Sequence, residues 1–133
     1  MLAIAQLTMV AVARRAIAVL QTTGPRVAPP TSLALNDTPA DAPDMLAADN
    51  GEAWRLRVPR LPVAINGASD LIAALFFYHC LKRRSAADAL TAAASSVYGV
   101  VPATVAAGAR ELRLAEAQDE LVHPTRRFRP EAI

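Results

Sequence analysis

Apolar residues run through positions 2–20 unbroken by glycine or proline, with Arg14 and Arg15 the only charges. The pattern predicts a helix that stops near Thr22, because Gly24 and Pro25 supply a terminator and a breaker. Arg26, Val27 and Ala28 then begin a short strand, but Pro29 and Pro30 remove two ladder donors, so no central strand is expected there. Residues 31–44 are rich in Pro, Asp, Asn and Thr and read as a surface loop.

The sharpest pattern surrounds Asn50 and Gly51. Residues 44–49 and 52–58 form an arm on each side of the pair, and Trp54, Leu56 and Val58 alternate with Arg55 and Arg57 on the second arm. Asn-Gly accommodates the two positive φ angles of a type I′ turn, so a β-hairpin is predicted. Pro59 and Pro62 end it and open an extended connector toward residues 63–65. Residues 71–84 follow as a helix that is apolar nearly all round, with Lys82, Arg83 and Arg84 at its end, and are expected to be largely buried, including Phe76, Phe77 and Tyr78. Ser85 followed by Asp88 predicts an N-capped second helix to about Val100, resuming past Pro102 to Ala107 and ending at Gly108. Residues 111–114 suggest a short strand, residues 117–121 a turn of helix, and His123-Pro124 the start of an irregular basic tail.

Composition narrows the class. In 133 residues, about a quarter are Leu, Ile, Val or Phe, above the level of disordered chains, and the length suffices for one core. A net charge of +2 gives no argument for nucleic acid. The single Cys80 excludes a disulfide scaffold and suits a reduced, cytoplasmic protein. No stretch reads as a membrane span, and residues 1–13 lack the basic start of a signal peptide. His79 and Cys80 are adjacent, about 100° apart on a helix, and His123 is distant, so no metal site is expected of them.

Gly67, Ala68, Ser69 and Asp70 stand where the connector turns into the long apolar helix. Free N–H groups at a helix start suit a phosphate or the charge developing on a transferring phosphoryl group. A glycine lets the backbone approach closely, and a carboxylate at Asp70 is placed to accept the proton of an attacking alcohol. The plainer alternative is that Asp70 or Ser69 caps the helix and Gly67 serves the turn.

The chain from Asn66 onward resembles the end of pyridoxal kinases of the ribokinase-like superfamily, whose signature is a Gly-x-Gly-Asp turn opening a long apolar helix. The resemblance rests on Asp70-Leu71-Ile72-Ala73-Ala74-Leu75-Phe76, Ala94-Ser95-Ser96-Val97-Tyr98, Ala107-Gly108-Ala109-Arg110-Glu111-Leu112-Arg113-Leu114 and Ala117-Gln118-Asp119-Glu120. The second and fourth of these runs are similar to the bacterial branch. Asp37-Thr38-Pro39-Ala40-Asp41 and the hairpin extend the likeness back to about Ala11, leaving residues 1–10 unplaced.

The resemblance implies an α/β fold, the C-terminal portion of a ribokinase-like three-layer sandwich with an incomplete central sheet, a hairpin and two long helices, over residues 11–133. It implies ATP-dependent phosphorylation of the 5′-hydroxymethyl group of pyridoxal, with ATP and Mg2+ required. Asp70 would be the catalytic base, with Gly67, Ala68 and Ser69 the anion hole. Thr31 would lie near the ATP phosphates, and Arg55, Leu56, Arg57 and Val58 would line the nucleotide. Ser69 replaces the family's second glycine, and at positive φ a serine would cost on the order of 1 kcal/mol. The partners implied are ATP and pyridoxal, with homodimers in the full-length family, or pairing with a missing N-terminal half. The isolated chain is then expected to bind ATP weakly and turn over pyridoxal poorly or not at all. The other reading is a non-catalytic remnant that pairs through a sheet edge or through its first helix.

Overall fold

The computed structural model describes residues 10–23, 27–33, 38–60, 67–83 and 85–133. The chain divides into two compact units, residues 1–60 with 130–133, and residues 61–129. The expectations for residues 1–9, for Gly24 to Arg26 and for the connector through residues 63–65 lie outside the described residues.

The first unit holds helix α1 (Val10–Thr23) and an antiparallel sheet of β1 (Val27–Leu33), β2 (Asp44–Asp49), β3 (Glu52–Arg57) and β4 (Glu131–Ala132), in that spatial order. The hairpin is as predicted. Asp49 pairs with Glu52 across a two-residue loop, and Asn50 and Gly51 hold φ of 50° and 84°. Leu46, Ala47, Ala48, Ala53, Leu56 and Val58 are all buried and form this unit's core.

Three expectations are corrected here. The first strand does not stop at Ala28 but continues through Leu33, so Thr31 lies in a strand and not in a loop. The prolines act as the ladder rules require: β1 is an edge strand, and its register against β2 shifts between Ala28 and Thr31. Asp44, shared between the expected surface loop and the first arm of the hairpin, does open β2, but with 0% exposure and not at the surface, held by the Arg57 guanidinium across the hairpin. The tail is irregular only until β4, where Ala132 pairs with Trp54 and Glu131 with Arg55, and the Ile133 N–H donates to the Ala53 carbonyl at 3.0 Å.

The second unit is built from α2 (Ala68–Arg83), α3 (Ala86–Ala106) and α4 (Gln118–Val122). Ser85 caps α3, its hydroxyl accepting the Asp88 N–H at 3.3 Å. The helix runs through the exposed Pro102 and ends where Gly108, at φ 68°, donates to the Val105 carbonyl at 2.9 Å. By length and composition α3 is apolar enough to cross a membrane, contrary to the expectation that no stretch would be. Twelve of its 21 residues are buried within the protein, as in a core helix. Glu111 makes only an isolated bridge and turns follow, so no strand forms at residues 111–114.

Helix α2 also departs from expectation. Only Ile72 and Phe76 are buried, on the face that packs against α3, whereas Phe77, Tyr78 and Leu81 are 65%, 50% and 66% exposed. An all-round apolar sequence signals a helix with partners on every side. Here α3 covers one side of it.

Gly99 sets the spacing of α3 and α4. A Cβ at this position would lie 2.7 Å from the Glu120 Cβ and 2.6 Å from its carboxyl carbon. Glu120 in turn takes the Thr125 N–H at 2.8 Å and the Thr125 hydroxyl, fastening the start of the tail. The Ser-Ser-Val-Tyr run serves the same end of the unit. The Ser95 hydroxyl accepts the Phe128 N–H at 3.3 Å, the Ser96 hydroxyl donates to the Leu121 carbonyl at 3.4 Å, and Tyr98 meets Phe128 edge to face at 5.3 Å.

Candidate functional site

Gly67, Ala68, Ser69 and Asp70 are brought together as the cap and first turn of α2. Gly67 holds φ of 87°, a left-handed conformation that a side chain would strain, and its carbonyl accepts the Leu71 N–H at 2.9 Å. It is therefore the residue from which the helix starts. The N–H groups of Ala68, Ser69 and Asp70 precede that first helical bond and have no acceptor within the helix. Gly67, Ser69 and Asp70 are exposed and Ala68 is half-buried, so the donors and the carboxylate sit on an open surface.

Ser69 is not strained. Asn50 is the one non-glycine residue with positive φ among the described residues, and Ser69 lies within α2. The left-handed position of the turn is Gly67, which this chain keeps.

The turn is backed from below. The buried Thr104 hydroxyl donates to the Val100 carbonyl at 3.0 Å and accepts the Arg113 N–H at 3.0 Å, and the Ala109 N–H donates to the Thr104 carbonyl at 3.2 Å. This pins the segment after α3, so that Leu112 Cδ1 lies 3.5 Å from where a Cβ on Gly67 would stand.

The other implied residues lie in the first unit. Thr31, Leu46 and Arg55 occupy one row across β1, β2 and β3. Leu56 and Val58 are fully buried, and the Val58 N–H donates to the Pro43 carbonyl at 3.1 Å. Both arginines are engaged inside this unit, Arg55 with Glu131 at 2.9 Å and Arg57 with Asp44. Arg57 Nε and Nη2 reach Oδ1 and Oδ2 of Asp44 at 2.9 and 3.0 Å, and the Thr38 hydroxyl adds 2.6 Å to Oδ2. Burial pushes the Asp44 carboxyl upward, but the bonds from Arg57 and Thr38 outweigh it and hold its pKa below the usual value.

A cleft of about 140 Å³ in the second unit escaped the sequence reading. It is lined by His79, Arg83, Asp88, Thr91, Ser95 and Arg127, among others. His79 Nε2 is buried there without a hydrogen-bond partner, and burial together with the Arg83 charge lowers the imidazole pKa. None of the residues proposed from sequence lines it. Nine residues of helix, about 13–14 Å, separate His79 from Asp70. Among the described residues no three His, Cys, Asp or Glu side chains gather to hold a metal.

Comparison with known proteins agrees with the resemblance seen in the sequence. The chain is 42% identical over 118 residues to pyridoxal kinase PdxY of Corynebacterium diphtheriae, covering 89% of this chain and 42% of that protein. It is 47% identical over 105 residues to pyridoxal kinase PdxY of Granulibacter bethesdensis, covering 79% of this chain and 37% of the relative. The chain thus spans about two fifths of the curated relatives it matches. Pyridoxal kinase from Leishmania donovani, solved in complex with ADP, superposes with a TM-score of 0.75 at 22% identity, over 96% of this chain and 45% of that one. The fold is therefore that of part of a pyridoxal kinase. No protein-family model matches the chain.

Proposed function

We propose that this chain is the phosphate-handling part of an ATP-dependent pyridoxal kinase. The observation that carries the proposal is the turn at the head of α2. Gly67 at φ 87° opens a helix start with three N–H groups lacking helical acceptors, and Asp70 stands exposed in that same turn. The identity of 42–47% with pyridoxal kinases supports the choice of reaction.

In this reading the amides of Ala68, Ser69 and Asp70 face the transferring phosphoryl group, where the helix N-terminus favours negative charge. Gly67 holds the turn that exposes them. Asp70 takes the proton of the pyridoxal 5′-hydroxymethyl group as its oxygen attacks the terminal phosphorus of ATP. The phosphorus–oxygen bond to the leaving ADP breaks, and pyridoxal 5′-phosphate and ADP result. The family resemblance alone carries the assignment of Thr31 to the ATP phosphates and of Arg55, Leu56, Arg57 and Val58 to the nucleotide. With Leu56 and Val58 buried, backbone groups rather than those two side chains make any contact there. No step assigned to these residues runs through a metal, and magnesium enters with ATP. The place of action is the cytoplasm.

Because more than half of each relative lies outside the match, the chain acts together with the remainder of such a domain. The test is pyridoxal-dependent ADP release by the chain co-expressed with the unmatched part of the Corynebacterium diphtheriae relative. Turnover is expected, and Asp70→Asn should lower kcat by about 10²–10⁴-fold, the usual range for loss of a general base. Undiminished turnover in Asp70→Asn would remove Asp70 from the mechanism, and no turnover in the assembled complex would refute the kinase assignment.

A further inference from the structure

Charged and polar side chains from α2, α3 and the tail surround the cleft of about 140 Å³ in the second unit. His79 and Arg83 stand four residues apart on α2, and Asp88, Thr91 and Ser95 follow at steps of three and four on α3, so each helix turns one face to it. Arg127 lines it from the tail. A single water needs only about 10–15 Å³, so the cleft has room for several waters or a small ion. None of these side chains enters the kinase reading.

Three features of the cleft call for a ligand, and together they select one. The buried Nε2 of His79 has no hydrogen-bond partner, and a ring nitrogen left so costs free energy that a bound molecule would recover. Arg83 and Arg127 are exposed and form no ion pair among the described residues, whereas Arg55, Arg57 and Arg113 each hold a carboxylate. Guanidinium groups suit oxyanions. Asp88, the third feature, repels an anion unless the anion has a proton to give it. Burial and the Arg83 charge lower the His79 pKa, so at neutral pH the ring is uncharged, and its Nε2 either donates to an oxyanion or accepts from an O–H.

We infer that this cleft binds inorganic phosphate as the hydrogen phosphate ion, with Arg83 and Arg127 on its charged oxygens and Asp88 accepting its remaining O–H. Sulfate has the same shape but carries no proton at neutral pH, and a phosphate monoester, with a second pKa of about 6, has shed its own by pH 7.5. Against either, Asp88 meets only negative oxygens. The carboxylate thus sets the selectivity, and the two arginines supply the attraction.

The test is an NMR titration of the full chain at about pH 7.5 and constant ionic strength, with phosphate, sulfate and methyl phosphate as separate probes and chloride as the balancing anion. The chain has two histidines, and His123 does not line the cleft, so its imidazole serves as an internal control. Phosphate should move the His79 imidazole signals saturably in the millimolar range and leave those of His123 in place. Sulfate and methyl phosphate should bind about tenfold more weakly or less still. Arg83→Gln and Arg127→Gln should each weaken phosphate binding about tenfold, and Lys82→Gln, on α2 but outside the cleft, should not. Asp88→Asn should bring sulfate to the affinity of phosphate. That comparison is a ratio measured on one folded protein, so a loss of stability at the head of α3 does not enter it.

His79 signals that phosphate leaves unmoved, or that move together with those of His123, overturn the site. Sulfate or methyl phosphate bound as tightly as phosphate, or a preference that survives Asp88→Asn, overturns hydrogen phosphate as its ligand. Weakening by Lys82→Gln equal to that by Arg83→Gln also overturns the site, because the anion would then be drawn only to the positive end of α2.

Discussion

Arg57 closes on the buried carboxylate of Asp44 with two parallel hydrogen bonds, of 2.9 and 3.0 Å, from the facing position on the neighbouring strand. The pairing locks the open end of the hairpin, as the Asn50-Gly51 turn locks its other end. Asp44→Asn should destabilise the protein by about 1.5–3 kcal/mol, the range for hydrogen bonds to a charged group. The full penalty for breaking a buried ion pair does not apply, because the Arg57 side chain is 39% exposed and water can take it back. Urea unfolding of the two proteins at neutral pH measures the difference.

The same pair sets an acid limit. Asp44 has a folded-state pKa below its ordinary value of 3.8, so the unfolded chain takes up the proton first as pH falls. Its contribution is fully present above about pH 5 and is lost as pH drops through 3.8 toward the lower folded value. Stability of the wild type and of Asp44→Asn should therefore converge between pH 5 and the acid limit of folding. A gap that stays constant across that range would show that the carboxylate charge contributes nothing.

What the sequence made legible follows from how local each signal is. The hairpin, the Ser85 cap and the Gly108 stop are written in two to four adjacent residues, and all three are present. The strand position of Thr31 and the burial of Asp44 are not legible, because composition reports polarity and not pairing. Neither the ladder to Leu46 nor the guanidinium of Arg57 is adjacent in sequence. The burial of α2 was overestimated for a related reason. Its all-round apolar pattern predicts partners on every side, while among the described residues its extensive packing is against α3. The Gly67 to Asp70 turn was legible as a unit, and its geometry shows which position carries the positive φ.

That geometry separates two substitutions in the turn. Gly67→Ala forces a side chain into φ of 87° and should cost about 1 kcal/mol, with Leu112 at ordinary contact distance adding little. Ser69→Gly relieves no strain, since Ser69 is helical, and should lower stability by a few tenths up to about 1 kcal/mol through helix propensity. Thermal melts distinguish the cases. A rise in Tm for Ser69→Gly would mean that the second position of the turn is strained after all.

Gly99→Ala tests the approach of α3 to α4. Alanine favours a helix by about 0.8–1 kcal/mol over glycine, which taken alone predicts stabilisation. Against this, the new methyl meets the Cβ of Glu120 at 2.7 Å, a contact that no rotation of the Glu120 side chain relieves. Overpacking of this kind costs about 1–3 kcal/mol, so a net loss is expected. Displacing Glu120 also withdraws the acceptor of both Thr125 bonds. Faster hydrogen exchange at the Thr125 amide should accompany the lower Tm.

Thr104 reaches the candidate site without touching it. Its hydroxyl is fully buried, donates to Val100 and accepts the Arg113 N–H, and so ties the segment bearing Leu112 beneath the Gly67 turn. Thr104→Val keeps the shape and removes the acceptor, leaving the Arg113 amide without its partner at a cost of about 1–3 kcal/mol. Thr104→Ser keeps both bonds and gives up one methyl, about 1 kcal/mol of burial. If the hydroxyl positions the segment, the Arg113 amide should stay protected from exchange in the serine variant and lose protection in the valine variant, even where their melting temperatures agree. Equal protection in both would mean that packing around Thr104, and not its hydrogen bond, holds Leu112 under the turn.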